Sequence, residues 1–248
     1  MKMKASVIIP VYNEEETVGN VIETVLKSEF VCQVICVNDG STDKSLDILK
    51  SFGHKIDLIN FKKNKGKGAA LASGIEKTRE KIIVFIDSDL IGLKAFHVEK
   101  LIKTLVSKKV DGVLGDLDIS EIYYKMISYS ILSFYGKGHD PLTGERAYFR
   151  KDLLPYVSKM RKLGYGIELY LNHIFKNKKI KFVKLSKLTQ PSTYQKNDIR
   201  IFRRIFKRLL EPSKELIKQI TTTDMIRLQK EIMKKNIKRK LKSYNIIK

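Results

Sequence analysis

The amino-acid sequence predicts an α/β protein, a doubly wound and mostly parallel sheet with helices on both faces. Two observations carry that prediction. Short apolar runs rich in β-branched residues alternate with helix-forming segments four times within the first ninety residues, the rhythm of consecutive βαβ units. The fourth run, residues 82–86, is also apolar throughout instead of alternating, which suits a strand covered on both faces in the middle of a parallel sheet. At 248 residues and 43% hydrophobic, the chain has enough material for one large core plus an appendage.

Taken in order, residues 5–9 (Ala-Ser-Val-Ile-Ile) form the first strand, closed by Pro10. Asn13 is placed to N-cap the first helix, Glu16 completes a capping pair three residues on, and the helix runs to about Lys27. Residues 33–37 form the second strand and end in Asn38-Asp39-Gly40-Ser41-Thr42-Asp43, a turn that opens another helix. Residues 56–60 form the third strand. A basic, glycine-bearing loop, Lys62-Lys63-Asn64-Lys65-Gly66-Lys67-Gly68, then enters a helix ending near Thr78. Residues 81–86 form the fourth strand, where the apolar character stops at two carboxylates, Asp87 and Asp89.

Each of these strands ends in polar residues, and in an open parallel sheet ligands collect beyond the carboxyl ends of the strands. The four groups therefore converge on one crevice. Lysines and backbone amides of the third loop suit a phosphate at a helix N-terminus. Asp39 suits hydrogen bonds from a base or ribose, and the hard oxygens of the Asp pair suit Mg²⁺ or Mn²⁺ held jointly with nucleotide phosphates. Asp-Ser-Asp alone is a common strand-to-helix turn; the upstream motifs give it chemical meaning.

Four motifs in order, Val7-Ile8-Ile9-Pro10-Val11-Tyr12-Asn13-Glu14-Glu15, Val37-Asn38-Asp39-Gly40-Ser41-Thr42-Asp43, Asn64-Lys65-Gly66-Lys67-Gly68 and Asp87-Ser88-Asp89, resemble a family 2 glycosyltransferase with the GT-A fold. The resemblance covers roughly residues 4–190. It implies that Pro10, Tyr12, Glu14 or Glu15, Asp39 and Lys67 line the nucleotide pocket. It also implies that Asp87 faces the ribose or the metal and that Asp89 ligates the divalent ion. Asn38 departs from relatives that carry Asp there, which leaves the base specificity open.

Beyond a helix over residues 93–106 and a strand over 110–114, residues 119–135 carry Ile119, Ile122, Tyr123, Met126, Ile127, Ile131, Leu132 and Phe134. That spacing suits a helix with a broad apolar face, packed in the core or forming a groove for a lipid chain. Asp140-Pro141-Leu142-Thr143-Gly144-Glu145-Arg146 resembles the Asp-x-x-Thr-Gly-x-Arg signature of polyprenyl-phosphate sugar transferases. Gly144-Glu145-Arg146-Ala147 with Gly164-Tyr165-Gly166-Ile167-Glu168-Leu169 also resembles glucosyl-3-phosphoglycerate synthases. Either group implies an anionic acceptor, for which Arg146 is the natural fork. The alternative for Arg146 is an ion pair with Glu145 or Glu168.

Glu168 is expected at the start of a helix over 168–176, facing the same pocket. An inverting transfer to a hydroxyl needs a carboxylate to take its proton, whereas a phosphate acceptor is already ionised. Asp140 and Glu168 stand as alternatives for base or positioning roles. Many relatives place a metal-binding His after the strand at 180–185. Here Lys187-Leu188-Thr189-Gln190-Pro191-Ser192-Thr193-Tyr194 contains none, which weakens the phosphoglycerate reading more than the lipid-phosphate one.

The formal charge is +22, and residues 196–248 hold 17 Lys and Arg against 5 Asp and Glu. Such a balance implies an anionic partner. Ile199, Phe202, Ile205, Phe206, Leu209 and Leu210 recur at helical spacing with Arg200, Arg203, Arg204, Lys207 and Arg208 between them, and a second amphipathic run spans 214–241. These basic amphipathic helices suit either an anionic membrane surface, contacted peripherally through residues 199–241, or the domain's own flank. The expected organisation is a GT-A domain over 1–195 and a basic helical tail over 196–248.

No apolar run approaches the ~20 residues of a membrane-spanning helix. The chain enters its first strand at once with no leader pattern, and Cys32 and Cys36 read as core thiols; a cytoplasmic protein is expected, with peripheral contact to the inner membrane face as an option. A nucleic-acid-binding protein is the reading of another class. It lacks a helix-turn-helix, zinc-finger or aromatic-platform pattern, so no nucleic-acid partner is expected. A sugar-phosphate nucleotidyltransferase would need a glycine-rich loop where Pro10-Val11-Tyr12-Asn13 stands.

Overall fold

The computed structural model describes residues 3–117, 143–164 and 166–189. The expected helix over 119–135, Asp140 and the basic tail lie outside the described residues. Seven strands form one mixed sheet: β1 (Ala5–Val11), β2 (Val31–Asn38), β3 (Asp57–Asn60), β4 (Ile82–Phe85), β5 (Gly112–Leu117), β6 (Arg146–Phe149) and β7 (Ile180–Leu185). Their order is β3-β2-β1-β4-β6-β5-β7. Among these strands β6 alone runs antiparallel to its neighbours, β4 and β5. Its first residue, Arg146, pairs with Phe85 at the end of β4, so the residues preceding β6 lie along the edge where the parallel strands finish.

The double-sided cover follows from where apolar residues sit. Helices α1 (Val18–Leu26), α2 (Ser45–Ser51) and α4 (Ala95–Ser107) pack Val21, Ile22, Val25, Leu49, Val98, Leu101 and Leu105 against one face. The other face takes α3 (Lys67–Lys77), a short α5 (Arg150–Leu153), α6 (Val157–Met160) and α7 (Ile167–Ile174), with Leu71, Ile75, Met160, Ile167 and Leu171 buried. Strand β4 is buried at every residue, as a strand in the middle of such a sheet must be.

Two local expectations are corrected. Strand β1 does not close at Pro10 but continues through Val11. The Ile8 carbonyl accepts the Ile86 N–H on the β4 side, and pairing with β4 ends at Ile8↔Phe85. Pro10, two residues on, faces the same side beyond that last pair, so its missing N–H costs no ladder bond. Asn13 does not cap α1, which begins at Val18 after Thr17. Instead Asn13 sits at φ +56°, and its Oδ1 accepts the Thr42 N–H at 2.8 Å, joining the first motif to the second.

The entry to α3 depends on two glycines. Gly66 takes φ +90°, and a Cβ on it would stand 2.9 Å from the Gly164 Cα. A Cβ on Gly68 would strike the carbonyl oxygens of Leu163 and Met160. Only glycine permits this close backbone approach, which carries Lys67 to the start of α7.

Candidate active site

Asp87 and Asp89 are presented by a loop whose middle residue is the anchor. Ser88 is buried; its Oγ donates to the Pro10 carbonyl at 2.9 Å, and its own carbonyl accepts from Thr17 Oγ1 at 2.7 Å. These two bonds tie the loop to β1 and to the start of α1, which leaves the flanking carboxylates for other partners. Lys67 meets Asp87 Oδ1 at 2.6 Å and Glu168 Oε1 at 2.8 Å. Burial works against its ammonium, yet the two carboxylates outweigh that and push its pKa up. A residue on α3, one after β4 and one on α7 are thus joined by a single cation.

A third acid stands behind this chain. Glu145 is wholly buried, receives the Thr143 Oγ1 hydroxyl on Oε2 at 2.6 Å, and has no partner for Oε1 among the described residues. Burial first, and then the charge of Asp87, raise its pKa. The intervening Gly144 is required by contact, because a Cβ there would overlap the Asp87 carboxylate.

Asp89 is the other acid short of a partner. Its Oδ1 is buried and unpartnered among the described residues, and burial together with the charge of Asp87 raises its pKa. Glu14 nearby is pushed up to about 7 by burial, then by Asp89 and Asp87. Such a cluster is short of positive charge, which is the condition a divalent cation corrects. Among the described residues no three carboxylate, imidazole or thiol groups converge closely enough to hold a metal unaided. Asp89, with Asp87, would therefore contribute part of a shell that phosphate oxygens and water complete, as hard cations accept.

Asp39 has a different setting from the one its motif suggests. Its Oδ1 accepts the Lys65 N–H at 2.7 Å and its Oδ2 the Gly66 N–H at 2.8 Å. The carboxylate therefore shapes the basic loop, and those two amides serve Asp39. Burial pushes its pKa up despite the two bonds. Asn38 is buried, donating to Asn60 Oδ1 at 2.7 Å. Tyr12 is exposed at 39%. Glu15 accepts the Lys44 N–H at 2.8 Å and bridges the first loop to α2.

Arg146 lies inside the fold, 1% exposed. Its Nε donates to the Thr143 carbonyl at 2.7 Å, and its Nη1 donates to Asn172 Oδ1 at 2.8 Å and to the Tyr148 hydroxyl at 3.3 Å. Of the expected residues, Asp87, Asp89, Lys67 and Glu168 come together, Glu14 borders them, and Asp39 sits one loop away. Gly144, Ser88 and Asn172 were not singled out in the sequence. The Thr-Gly-Glu-Arg motif was the available signal for Gly144, and nothing local marks Asn172.

Residues 6–125 match the profile described as Glycosyl transferase family 2. An uncharacterized glycosyltransferase of Synechocystis is 35% identical over 98 residues, covering 36% of this chain and 30% of the relative. A 4,4'-diaponeurosporenoate glycosyltransferase of Staphylococcus aureus is 30% identical over 113 residues, covering 44% of this chain and 30% of the relative. The chain thus spans less than a third of the length of these curated relatives. Among solved structures, the glucosyl-3-phosphoglycerate synthase of Mycobacterium tuberculosis in complex with phosphoglyceric acid superposes with a TM-score of 0.68 at 25% identity, covering 84% of this chain and 79% of that one. The same enzyme with Mn²⁺, uridine-diphosphate and phosphoglyceric acid gives 0.67 at 25% identity, covering 84% and 78%. Motifs, sheet order and relatives agree: residues 6–125 carry the glycosyl transferase family 2 pattern, and the fold is that of the GT-A glycosyltransferases it superposes on.

Proposed function

We propose that this protein moves a sugar from a UDP- or GDP-linked donor to an anionic acceptor with a divalent cation, Mg²⁺ or Mn²⁺, and that a polyprenyl phosphate is that acceptor. The observation that carries the reading is the buried Oδ1 of Asp89, without a partner among the described residues, beside Asp87 at the carboxyl edge of the sheet. When bound, the cation supplies charge neutralisation for the departing diphosphate.

The chain's own residues do the rest. Pro10, Tyr12, Glu14, Glu15 and Asp39 border the nucleotide, with Asp39 holding the loop that precedes Lys67. Lys67 keeps Asp87 and Glu168 at fixed separation across the site. Glu168 is the base for a hydroxyl acceptor, with Asp140 the alternative. A phosphate acceptor arrives ionised, and the same carboxylate then only orients it. Residues 199–241 supply the membrane contact that a lipid-borne acceptor requires.

Transfer to a small acid is the second reading, supported by likeness to a synthase crystallised with phosphoglyceric acid. One experiment separates them. Radiolabelled UDP- and GDP-sugars with Mn²⁺ are offered polyprenyl phosphate in vesicles or 3-phosphoglycerate in solution, each with and without EDTA. Label in the organic phase supports the first reading, label in the aqueous anion the second. Transfer that is indifferent to EDTA rejects the metal.

A further inference from the structure

We infer that Arg146 and Asn172 are a positioning pair that sets where Glu168 stands against Lys67; the inference rests on the reading of Glu168 as a site residue in the transferase proposed above. Helix α7 is held through three contacts along one of its faces, two to β6 and one to α3. At its carboxyl end the Phe175 ring packs on Tyr148, with centroids 4.5 Å apart. Next, Asn172 Oδ1 accepts from Arg146 Nη1 at 2.8 Å. One turn further on, Glu168 meets Lys67 at 2.8 Å. Residues 168, 172 and 175 share a helix face, and 146 and 148 share a sheet face, so the rungs follow from the periodicities of the two elements.

The middle rung is the specific one. The aromatic pair sets α7 at a distance from the sheet but tolerates sliding along it. The guanidinium does not. Its Nε is fixed by the Thr143 carbonyl at 2.7 Å, and its Nη1 is shared between Tyr148 and Asn172. A planar fork with defined donor directions fixes translation as well as spacing. Thr143 also donates to Glu145, so the same guanidinium ties α7 to the turn that carries Gly144 past Asp87. A charge buried to 1% exposure is costly unless well bonded, and fixing geometry is one recognised return on that cost.

Arg146 therefore acts on the acceptor side through α7, in place of gripping the acceptor itself. The test uses the full chain and a readout that needs no substrate. Lys67 is pulse-labelled with acetic anhydride, and mass spectrometry gives its labelling relative to Lys103, a remote lysine on α4 paired with Glu99. Asn172→Leu removes the acceptor oxygen, and Arg146→Lys removes the fork; each is expected to raise the ratio roughly fivefold as Glu168 drifts from Lys67. Asn172→Asp keeps an oxygen for the guanidinium and is expected to match wild type. An unchanged ratio in Asn172→Leu, or equal rises in the Leu and Asp variants, overturns the inference.

In turnover, both Asn172→Leu and Arg146→Lys are expected to lower kcat at unchanged acceptor KM. A raised acceptor KM in Arg146→Lys with normal kinetics in Asn172→Leu also overturns it, by returning Arg146 to the acceptor. A thermal-shift panel of UDP and GDP with Mn²⁺ on wild type runs alongside. No nucleotide response there rejects the transferase reading, while the labelling ratio still decides the pairing.

Discussion

Gly144→Ala is the substitution that tests the site most directly, because its consequence can be worked from contact geometry. The added Cβ would sit under 3.0 Å from Cγ, Oδ1 and Oδ2 of Asp87, a separation that real Cβ atoms essentially never show. Relief requires a displacement of roughly 1 Å in the aspartate or in the turn bearing Glu145. Moving Asp87 stretches its 2.6 Å contact with Lys67 toward the limit of a hydrogen bond. Overpacking of this kind costs about 1–3 kcal/mol, which for a chain of this size lowers Tm by about 2–12 °C. A reacting group misplaced by about 1 Å loses up to ~10²-fold in rate. The assay is sugar transfer at a temperature where wild type and variant are both folded, with melting followed in parallel. Gly164→Ala is the control, since a Cβ there meets no atom of the described residues within 4 Å. A folded Gly144→Ala protein with wild-type turnover would refute the argument that Asp87 must stand where it does.

Three further outcomes are expected. Lys67→Met leaves Asp87 and Glu168, whose side chains are 16% and 12% exposed, without their shared cation, and should cost about 3–5 kcal/mol in urea denaturation; an unmoved midpoint rejects the ion-pair account. Asp89→Asn removes a repulsion between neighbouring carboxylates, so the metal-free protein should melt no lower than wild type while the Mn²⁺-dependent stabilisation by nucleotide disappears. Persistence of that stabilisation would exclude Asp89 as a ligand. Glu14 is raised from 4.5 to about 7, so the folded state binds more protons than the unfolded one in that interval, and stability falls as pH climbs from about 4.5 to about 7. Glu14→Gln should flatten that slope in urea midpoints measured across the interval; an identical slope means the group does not titrate as described.

The four early strands were legible because such strands are written locally, as short runs dominated by apolar and β-branched residues, and each structural strand overlaps its predicted run. The motif groups at their carboxyl ends were legible for the same reason. Strand β6 was not. Arg146-Ala147-Tyr148-Phe149 opens on a charge and offers only three apolar residues, and its pairing with β4 crosses more than sixty residues of sequence. Asn13 shows the converse error: a sound local capping rule lost to a hydrogen bond from Thr42, 29 residues away. Asp39 was read as a ligand for base or ribose from its motif, and the structure adds that both of its oxygens hold the Lys65–Gly66 backbone.

By itself the sequence determined the strand-helix alternation, the edge at which polar residues gather and the identities of Asp87, Asp89, Lys67 and Glu168 as one set. The first two follow from composition and periodicity within a dozen residues at a time, whereas the set of four followed from the family resemblance of the motifs. Only the tertiary structure decided who bonds to whom: that Lys67 bridges two acids, that Glu145 is buried behind Asp87, and that Arg146 turns inward to Asn172. Charge pairing depends on approach and burial between segments far apart in the chain, and no local pattern encodes either.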